Sequence, residues 1–270
     1  MRFRGKSIIV TGAGSGIGRA AAILFAAEGG QVIAADRTEG ATATAATIRE
    51  GGGTAEPMQI DAGAEADVER IVARAVDLYG GIDVLFANAG ISGGMANILD
   101  TSAELVAEVL RVNLIGPLLA IKHAAPHIVE RARTSGEGGA IVLTASVAGI
   151  RSGAGSPAYS ASKAGVINLA QVAAQQLTGT GVRVNAVCPG LTETGMTRPV
   201  FDYARANDKL DRVGRLNPLQ RGAQPEELAR VVLFLASRDA SYVNGQAIAV
   251  DGGLSSSHPV TRQEYGKTAV

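Results

Sequence analysis

Short apolar runs alternate with longer amphipathic stretches along this 270-residue chain, and this alternation limits its fold more than any other feature. The runs Ser7–Val10 and Val84–Ala87 are almost entirely apolar, as strands covered on both faces are. Strands that alternate with helices form parallel sheets with a helical layer on each side. The sequence therefore predicts an α/β fold, a doubly wound parallel sheet of seven strands with helices on both faces.

The predicted elements follow one another without a Pro/Gly/Ser-rich linker, so residues 1–270 are predicted to form a single domain. Strands are predicted at Ser7–Val10, Gln31–Ala35, Thr54–Ile60, Val84–Ala87, Ala140–Thr144, Arg183–Val187 and Ala247–Val250. Helices are predicted at Ile17–Glu28, Gly40–Glu50, Ala64–Tyr79, Ala103–Arg131, Pro157–Leu177 and Pro225–Ala236.

Charge and hydropathy exclude several classes of protein. Lys+Arg and Asp+Glu balance at 25 each without a block of like charge, so nucleic-acid binding is not expected. No apolar run is long enough to span a membrane, and the N-terminus carries no secretory pattern. The single cysteine, Cys188, fits a reducing compartment, and a cytoplasmic location is predicted.

Histidine is scarce, which argues against a metal centre. His123, His127 and His258 are the only three. His123 and His127 have the i,i+4 spacing that can bind a metal, but no acid flanks them in the sequence. We therefore predict no metal site, and a solvated or capping role for this pair.

A glycine-rich turn joins the first predicted strand to the first helix, in the segment Thr11–Gly18. Its pattern is T-G-x-x-x-G-I-G; it departs from G-x-G-x-x-G because Arg19 occupies the third glycine position after Gly14 and Gly16. Glycines let the backbone approach a pyrophosphate, whose charge the helix N-terminus stabilises. The turn predicts a Rossmann-type dinucleotide site, with a purely structural turn as the alternative.

Asp36 ends the second predicted strand and bears on the choice of dinucleotide. A carboxylate at this place accepts hydrogen bonds from the adenosine ribose hydroxyls and repels a 2′-phosphate. NAD is therefore predicted over NADP. The adjacent Arg37 is the counter-argument, although Ser15 supplies no second basic residue.

Tyr159 and Lys163 have a spacing that suits proton transfer at an alcohol carbon. Positions i and i+4 lie on one face of a helix, so the phenol and the ammonium are expected side by side. A free tyrosine has a pKa of about 10. A nearby cation favours the phenolate, so Lys163 is expected to lower the pKa of Tyr159. By itself, the pair also fits a helix with an exposed lysine and a half-buried tyrosine.

Taken together, these motifs resemble the short-chain dehydrogenase/reductase family from about Lys6 to Gly253. The resemblance adds further matches in the family's order, namely Asn88-Ala89-Gly90, Asn113, Ser146, Pro189-Gly190 with Thr194, and Asp251-Gly252-Gly253. Each match is weak singly, and the whole set is specific.

The resemblance implies a role for each matching residue. Tyr159 would be the general acid/base, with Lys163 lowering its pKa and binding the nicotinamide ribose. Ser146 would hold the substrate oxygen, and Asn113 would kink its helix and hold a water linked to Lys163. The cofactor-binding residues would be Gly12, Ser15, Gly16, Ile17, Gly18, Asp36, Arg37, Asp61, Ala62, Asn88, Ala89, Gly90, Tyr159, Lys163, Pro189, Gly190, Thr192 and Thr194.

Some of these roles have simpler alternatives. Asn113 could face solvent on a long helix, Ser146 could be a strand-end residue, and Thr194 could be a turn hydroxyl. Cys188 is expected to be a small buried side chain, since no histidine partner for a nucleophile is evident.

Two segments break the strand–helix rhythm. Residues 191–224 are long and polar, and an insertion after a strand in such a sheet is often a lid over a ligand, so a substrate lid is predicted there. An irregular loop without a function is the alternative. Residues 255–270 form a polar C-terminal tail.

The apolar-rich helices at Pro157–Leu177 and Pro225–Ala236 correspond to helices that pair between subunits in this family. A homotetramer is therefore predicted, with a dimer as the alternative.

The function predicted is an oxidoreductase that transfers a hydride between NAD and a small secondary alcohol or ketone. The alternative is an NADPH-dependent carbonyl or 3-oxoacyl reductase. Ser15, and the segment Ile91–Met95 after Asn-Ala-Gly, do not resemble the 3-oxoacyl reductase pattern. A non-catalytic dinucleotide-binding module is a third hypothesis, but it would not require the Tyr159 proton donor.

Overall fold

The computed structural model describes residues 1–257, and the remainder of the predicted polar tail, 258–270, lies outside them. Seven parallel strands form one sheet in the order β3-β2-β1-β4-β5-β6-β7. The strands are β1 Ser7–Thr11, β2 Gln31–Asp36, β3 Thr54–Gln59, β4 Val84–Ala87, β5 Gly139–Thr144, β6 Val182–Pro189 and β7 Ala247–Val250. The predicted seven-stranded α/β sheet is confirmed.

Helices cover both faces of the sheet, and each face has its own apolar core. They are α1 Gly16–Ala27, α2 Gly40–Glu50, α3 Glu65–Tyr79, α4 Ala103–Leu110, α5 Gly116–Ser135, α6 Pro157–Gln176, α7 Arg198–Ala206 and α8 Pro225–Ala236. One core lies between the sheet and α3, α5 and α6, and the other between the sheet and α1, α2 and α8. Both sides of β1 and β4 are buried, which explains their lack of polar alternation.

The strand order reverses direction between β1 and β4. The chain runs outward from β1 to β2 and β3, then returns to β4 on the other side of β1. The helices that follow β1 and β4 therefore pack on opposite faces of the sheet, and a crevice opens beyond the carboxyl ends of these two strands. The fold places the loops after β1 and β4 at that crevice.

The long helix predicted at Ala103–Arg131 is wrong in one respect. A π-helical turn at Arg111–Ile115 separates α4 from α5, and α5 continues to Ser135. The residue pattern was interpreted as one continuous helix, and only the resemblance, through Asn113, indicated an irregularity here. A π turn inserts an extra residue in the helical ladder and is frequent at functional sites.

The predicted lid segment contains structure that its polarity concealed. It holds α7 and a 3₁₀ turn at Leu210–Arg212, and its ends meet where Thr192 pairs with Ala223. Phe201, Ala204 and Val213 form a small apolar cluster within it. Among residues 1–257, no helix combines the length and the apolarity that a membrane crossing requires.

Candidate active site

A cleft of about 700 Å³ lies at the carboxyl edge of the sheet, lined by the loops that follow β1 to β6. Of the residues predicted for the site, all but Gly18 and Asn113 line this cleft. Those that do are Gly12, Ser15, Gly16, Ile17, Asp36, Arg37, Asp61, Ala62, Asn88, Ala89, Gly90, Ser146, Tyr159, Lys163, Pro189, Gly190, Thr192 and Thr194. The topology thus brings together residues that are far apart in the sequence.

The glycine-rich turn is shaped so that only glycine fits at its critical positions. Gly12 and Gly16 have φ of +67° and +51°, which other residues rarely adopt. A Cβ added at Gly12 would lie 2.8 Å from Asn88 Nδ2, and one added at Gly18 would lie 2.1 Å from the Gly12 carbonyl oxygen. Gly18 therefore lies beneath the cleft, and it keeps α1 close to the turn.

The turn leads into α1, whose first N–H groups lack an acidic partner in the first turn of the helix. Ser15 occupies the N-cap position, and its side chain makes no capping hydrogen bond. Unpaired helix N–H groups with the positive end of the helix dipole are the donors that a pyrophosphate requires. The open glycine surface and these donors fit a dinucleotide.

Asp36 lies at the end of β2, beside the glycine turn. Its Oδ2 accepts the Gly14 N–H at 2.9 Å, and its Oδ1 accepts the Thr38 N–H at 2.9 Å and the Thr38 hydroxyl at 2.8 Å. These contacts fix the carboxylate at the cleft wall. Arg37, the next residue, is exposed.

Asn88, which lines the cleft, is hydrogen-bonded to the ends of two neighbouring strands and so connects three strand ends. Its backbone N–H donates to Thr11 Oγ1 at 3.0 Å, and its Nδ2 donates to the Thr11 carbonyl at 3.2 Å. Its Oδ1 accepts the Thr144 hydroxyl at 3.0 Å. The network links β1, β4 and β5, and Thr11 and Thr144 are members that the site prediction omitted.

Tyr159, Lys163 and Ser146 meet at one side of the cleft. Lys163 Nζ lies 5.6 Å from the centre of the Tyr159 ring, so the pair shares one face of α6 as predicted. Lys163 is 3% exposed and donates to the Thr144 carbonyl at 2.7 Å. Ser146 is buried, and its hydroxyl accepts the Ala148 N–H at 3.1 Å.

The expectation that the pKa of Tyr159 is lowered is wrong for the protein by itself. Burial raises the pKa of the Tyr159 phenol, and a hydrogen bond with Ser146 opposes that rise only in part. The Lys163 ammonium is directed to the Thr144 carbonyl, and the net shift of the Tyr159 pKa is upward although Lys163 lies beside the ring. The i,i+4 spacing predicted correctly that the two groups are neighbours. It carries no information on the burial that disfavours the Tyr159 phenolate.

Burial also lowers the pKa of Lys163, from an ordinary value of 10.5 to about 8. Between these values the unfolded chain binds a proton that the folded chain lacks, so the free energy of unfolding rises with pH. We expect the stability of the wild type relative to Lys163→Met to increase by about 3 kcal/mol from pH 8 to pH 10.5. Denaturant unfolding of both proteins across that range measures it, and a constant difference would contradict the shift.

Asn113 lies in the π-helical turn, fully buried beneath the cleft. Its Oδ1 accepts the Ile91 N–H at 2.8 Å, and its Nδ2 donates to the Ile91 carbonyl at 2.9 Å and to Ser162 Oγ at 3.1 Å. The Ser162 hydroxyl donates in turn to the Tyr159 carbonyl at 2.7 Å. The solvent-facing alternative is therefore wrong, while the water relay stays a prediction.

The loop after β6 closes the opposite wall of the cleft. Thr194 donates its N–H to the Thr197 hydroxyl at 3.0 Å, and that hydroxyl also contacts the Thr192 carbonyl. A Cβ at Gly190 would lie 2.7 Å from Asp251 Cα, so this loop packs against the loop after β7. Cys188 is buried, and burial raises the pKa of its thiol to about 11, which agrees with an inert side chain.

The expectation that no acid flanks the histidine pair is wrong in three dimensions. Glu65 and Glu69 on α3 lie 2.9 Å and 3.7 Å from His123 Nε2 on α5. They were missed because they precede His123 by more than fifty residues. Lys122 Nζ lies 2.6 Å from the same Glu65 oxygen, so this exposed cluster already contains its own counter-charge.

Comparison with known proteins assigns the chain to a family. A family model described as "Enoyl-(Acyl carrier protein) reductase" matches residues 12–255. The chain is 40% identical over 255 residues to the 3-oxoacyl-[acyl-carrier-protein] reductase of Thermotoga maritima, covering 94% of this chain and 99% of the relative. It is 38% identical over 258 residues to the meso-2,3-butanediol dehydrogenase of Serratia marcescens, covering 95% and 97%.

Solved structures give the same result. Levodione reductase superposes with a TM-score of 0.88 at 33% identity, covering 95% of this chain and 100% of the other. A Beutenbergia cavernae structure with NADP bound at low occupancy superposes with a TM-score of 0.84 at 35% identity, covering 94% and 98%. The chain belongs to the short-chain dehydrogenase/reductase family. It is an NAD(P)-dependent oxidoreductase that acts on alcohol and ketone groups.

Proposed function

We propose that the protein is an NAD-dependent dehydrogenase of a secondary alcohol, with Tyr159 as the general acid/base. One observation carries this proposal: Tyr159, Ser146 and Lys163 line the same cleft as the glycine turn and Asp36. A proton-transferring group and a dinucleotide cradle therefore share one space. A non-catalytic binding module would have no use for that arrangement.

The residues divide the work of alcohol oxidation. Gly12 and Gly16 admit the pyrophosphate, and Asp36 binds the adenosine ribose. A bound nicotinamide supplies the hydride acceptor, or the donor for ketone reduction. Ser146 holds the substrate oxygen, and Tyr159 takes its proton during oxidation or returns it during reduction.

The Lys163 ammonium stabilises the Tyr159 phenolate when Tyr159 loses its proton. This ammonium is about one helical turn from Tyr159 and is withdrawn from water. Attraction between opposite charges is strong where solvent does not screen it. The ammonium thus offsets part of the desolvation cost that raises the pKa of Tyr159.

The preference for NAD rests on Asp36. Its carboxylate is held by Gly14 and Thr38, and it would repel a 2′-phosphate. The NADP found in a structural relative is the counter-argument, as is Arg37. We expect Asp36→Asn, which keeps an acceptor oxygen and removes the charge, to lower the NAD/NADP ratio of kcat/KM by about tenfold or more.

That ratio is measured by steady-state kinetics with both cofactors, and Asp77→Asn, at an exposed residue of α3 outside the cleft, is the matched control. An unchanged NAD/NADP ratio in Asp36→Asn, whether or not both values of kcat/KM fall, would remove the basis for the preference.

The alternative is an NADPH-dependent carbonyl or 3-oxoacyl reductase, favoured by the 40% identity with the Thermotoga maritima enzyme. Absorbance at the reduced nicotinamide band separates the two functions. A panel of secondary alcohols with NAD and NADP tests the first, and acetoacetyl thioester with NADPH tests the second. Faster turnover of the thioester than of every alcohol and simple ketone would favour the alternative.

The lid, the assembly and the location remain proposals. Residues 191–224 are proposed to close over the substrate, since Met196 and Thr197 of this segment line the cleft. A homotetramer is proposed because Val172 on α6 and Phe234 on α8 are each 40% exposed. Analytical ultracentrifugation distinguishes a tetramer from a dimer. The cytoplasmic location is a prediction from the single cysteine.

A further inference from the structure

The guanidinium of Arg111 joins two segments that the catalytic residues do not connect. Its Nη2 donates to Asp61 Oδ2 at 2.8 Å. The same group forms a fork with Glu108, with Nε to Oε2 at 2.7 Å and Nη2 to Oε1 at 2.9 Å. Arg111 therefore links the end of β3 to the last turn of α4 and to the π-helical turn that it begins.

The carboxylate of Asp61 is held from two sides. Oδ2 accepts from Arg111, and Oδ1 accepts the Gly63 N–H at 2.8 Å. The Asp61 N–H donates to Asp67 Oδ2 at 2.7 Å, which fixes the backbone as well. The Arg111 guanidinium holds the pKa of Asp61 below its usual range. Asp61 is thus a charged acceptor with a fixed orientation.

Close packing at two glycines accompanies the Arg111–Asp61 pair. A Cβ at Gly63 would lie 2.4 Å from Arg111 Nη1, and a Cβ at Gly116 would lie 2.7 Å from the Ala62 carbonyl oxygen. The loop after β3 therefore packs closely against the Arg111 side chain and against the first residue of α5. Asn113, two residues beyond Arg111, lies in the same turn.

Asp61 and Ala62 line the cleft and follow β3, the strand next to β2 and Asp36, whereas Ser146 follows β5 on the other side of β1 and β4. A dinucleotide with its ribose at Asp36 presents its adenosine to this wall. A fixed carboxylate there can accept an N–H from the adenine amino group. Without Arg111, the Asp61 side chain would adopt more rotamers. Adenosine binding would have to restrict it to one of them, and the affinity for the dinucleotide would fall.

We infer that Arg111 is a positioning residue for the adenosine end of the cofactor: it orients Asp61 and anchors the loop after β3 to the π-helical turn. The inference rests on the proposed function, in which this cleft binds a nicotinamide dinucleotide. Arg111 acts through Asp61 and touches no reacting atom. Glu108 holds the far side of the guanidinium and is not needed for adenosine binding.

The test is a titration of NADH, followed by its fluorescence, against the full-length wild type, Arg111→Met, Arg111→Lys and Glu108→Gln. We expect Arg111→Met to raise the Kd for NADH about tenfold, because a charge-assisted hydrogen bond is lost. Arg111→Lys should recover part of the affinity. Glu108→Gln should remain within about twofold of the wild type, since the Asp61 contact persists.

Reduced nicotinamide mononucleotide, which lacks the adenosine, separates positioning from general damage. Its affinity should be the same in the wild type and Arg111→Met. Comparable weakening of both ligands, or an NADH affinity within twofold of the wild type in Arg111→Met, would overturn the inference. Thermal unfolding of each variant checks that it is folded.

The outcomes distinguish this inference from the proposed function. If the wild type oxidises alcohols with NAD while Arg111→Met binds NADH normally, only the inference is wrong. If Arg111→Met selectively weakens NADH while no alcohol is oxidised, only the proposed catalytic role is wrong. A wild type that does not bind NADH would contradict both.

Discussion

Tyr159→Phe is expected to lower kcat for alcohol oxidation by about 10³-fold, within the range for loss of a general acid/base. The substitution removes one hydroxyl from a side chain that lies against Lys163 and Ser146 at the cleft wall. The ring remains, so packing and the shape of the cleft are retained. The Kd for NADH, measured by fluorescence titration, should stay within about twofold.

The matched control is Tyr79→Phe, because Tyr79 is also partly buried but lies on α3 outside the cleft. It should retain full activity. Turnover of Tyr159→Phe near the wild-type level, with cofactor still bound, would show that another group moves the proton. An equal loss in both variants would point to a general effect of removing a tyrosine hydroxyl.

Gly18→Ala is expected to damage the cofactor turn more than any other single methyl group in the site. The new Cβ would lie 2.1 Å from the Gly12 carbonyl oxygen and 2.6 Å from Asn88 Nδ2. Backbone cannot yield as a flexible side chain does, so α1 must move away from the turn. We expect a loss of about 1–3 kcal/mol in the free energy of unfolding.

The same displacement should raise the Kd for NADH at least tenfold, on the order of the loss when a binding loop is misplaced. Denaturant unfolding and fluorescence titration measure the two effects. Gly51→Ala, after α2, is the matched control because its Cβ would approach no atom closer than 3.4 Å. Wild-type stability and affinity in Gly18→Ala would contradict the tight packing.

The regular elements were predictable because their signals are local. All seven predicted strands are present: β4 and β7 have the predicted bounds, β1, β2, β3 and β5 differ by one residue at one end, and β6 is longer, from Val182 to Pro189. An apolar run records burial on both faces of a parallel sheet, which is a property of the run itself. The π-helical turn at Arg111–Ile115 was not predicted from the apolar pattern, because nearly all the residues around it are apolar and a change of face is not visible in such a run.

Contacts between distant segments could not be predicted from spacing. Tyr159 and Lys163 were predictable as neighbours because one helix carries both. The Thr144 carbonyl that binds Lys163, and the Arg111 guanidinium that binds Asp61, act across 19 and 50 residues respectively. The same limit explains the wrong expectation for the pKa of Tyr159, since its rise comes from burial by the whole cleft.

The most direct test of hydride and proton transfer at this cleft uses an alcohol deuterated at its carbinol carbon. The secondary alcohol that the wild type oxidises fastest is labelled and incubated with NAD, and the reduced nicotinamide is analysed by mass spectrometry. We predict a one-mass-unit gain in NADH with the wild type and almost none in the same time with Tyr159→Phe. Unlabelled NADH from the wild type, or equal labelling rates in both proteins, would contradict the mechanism.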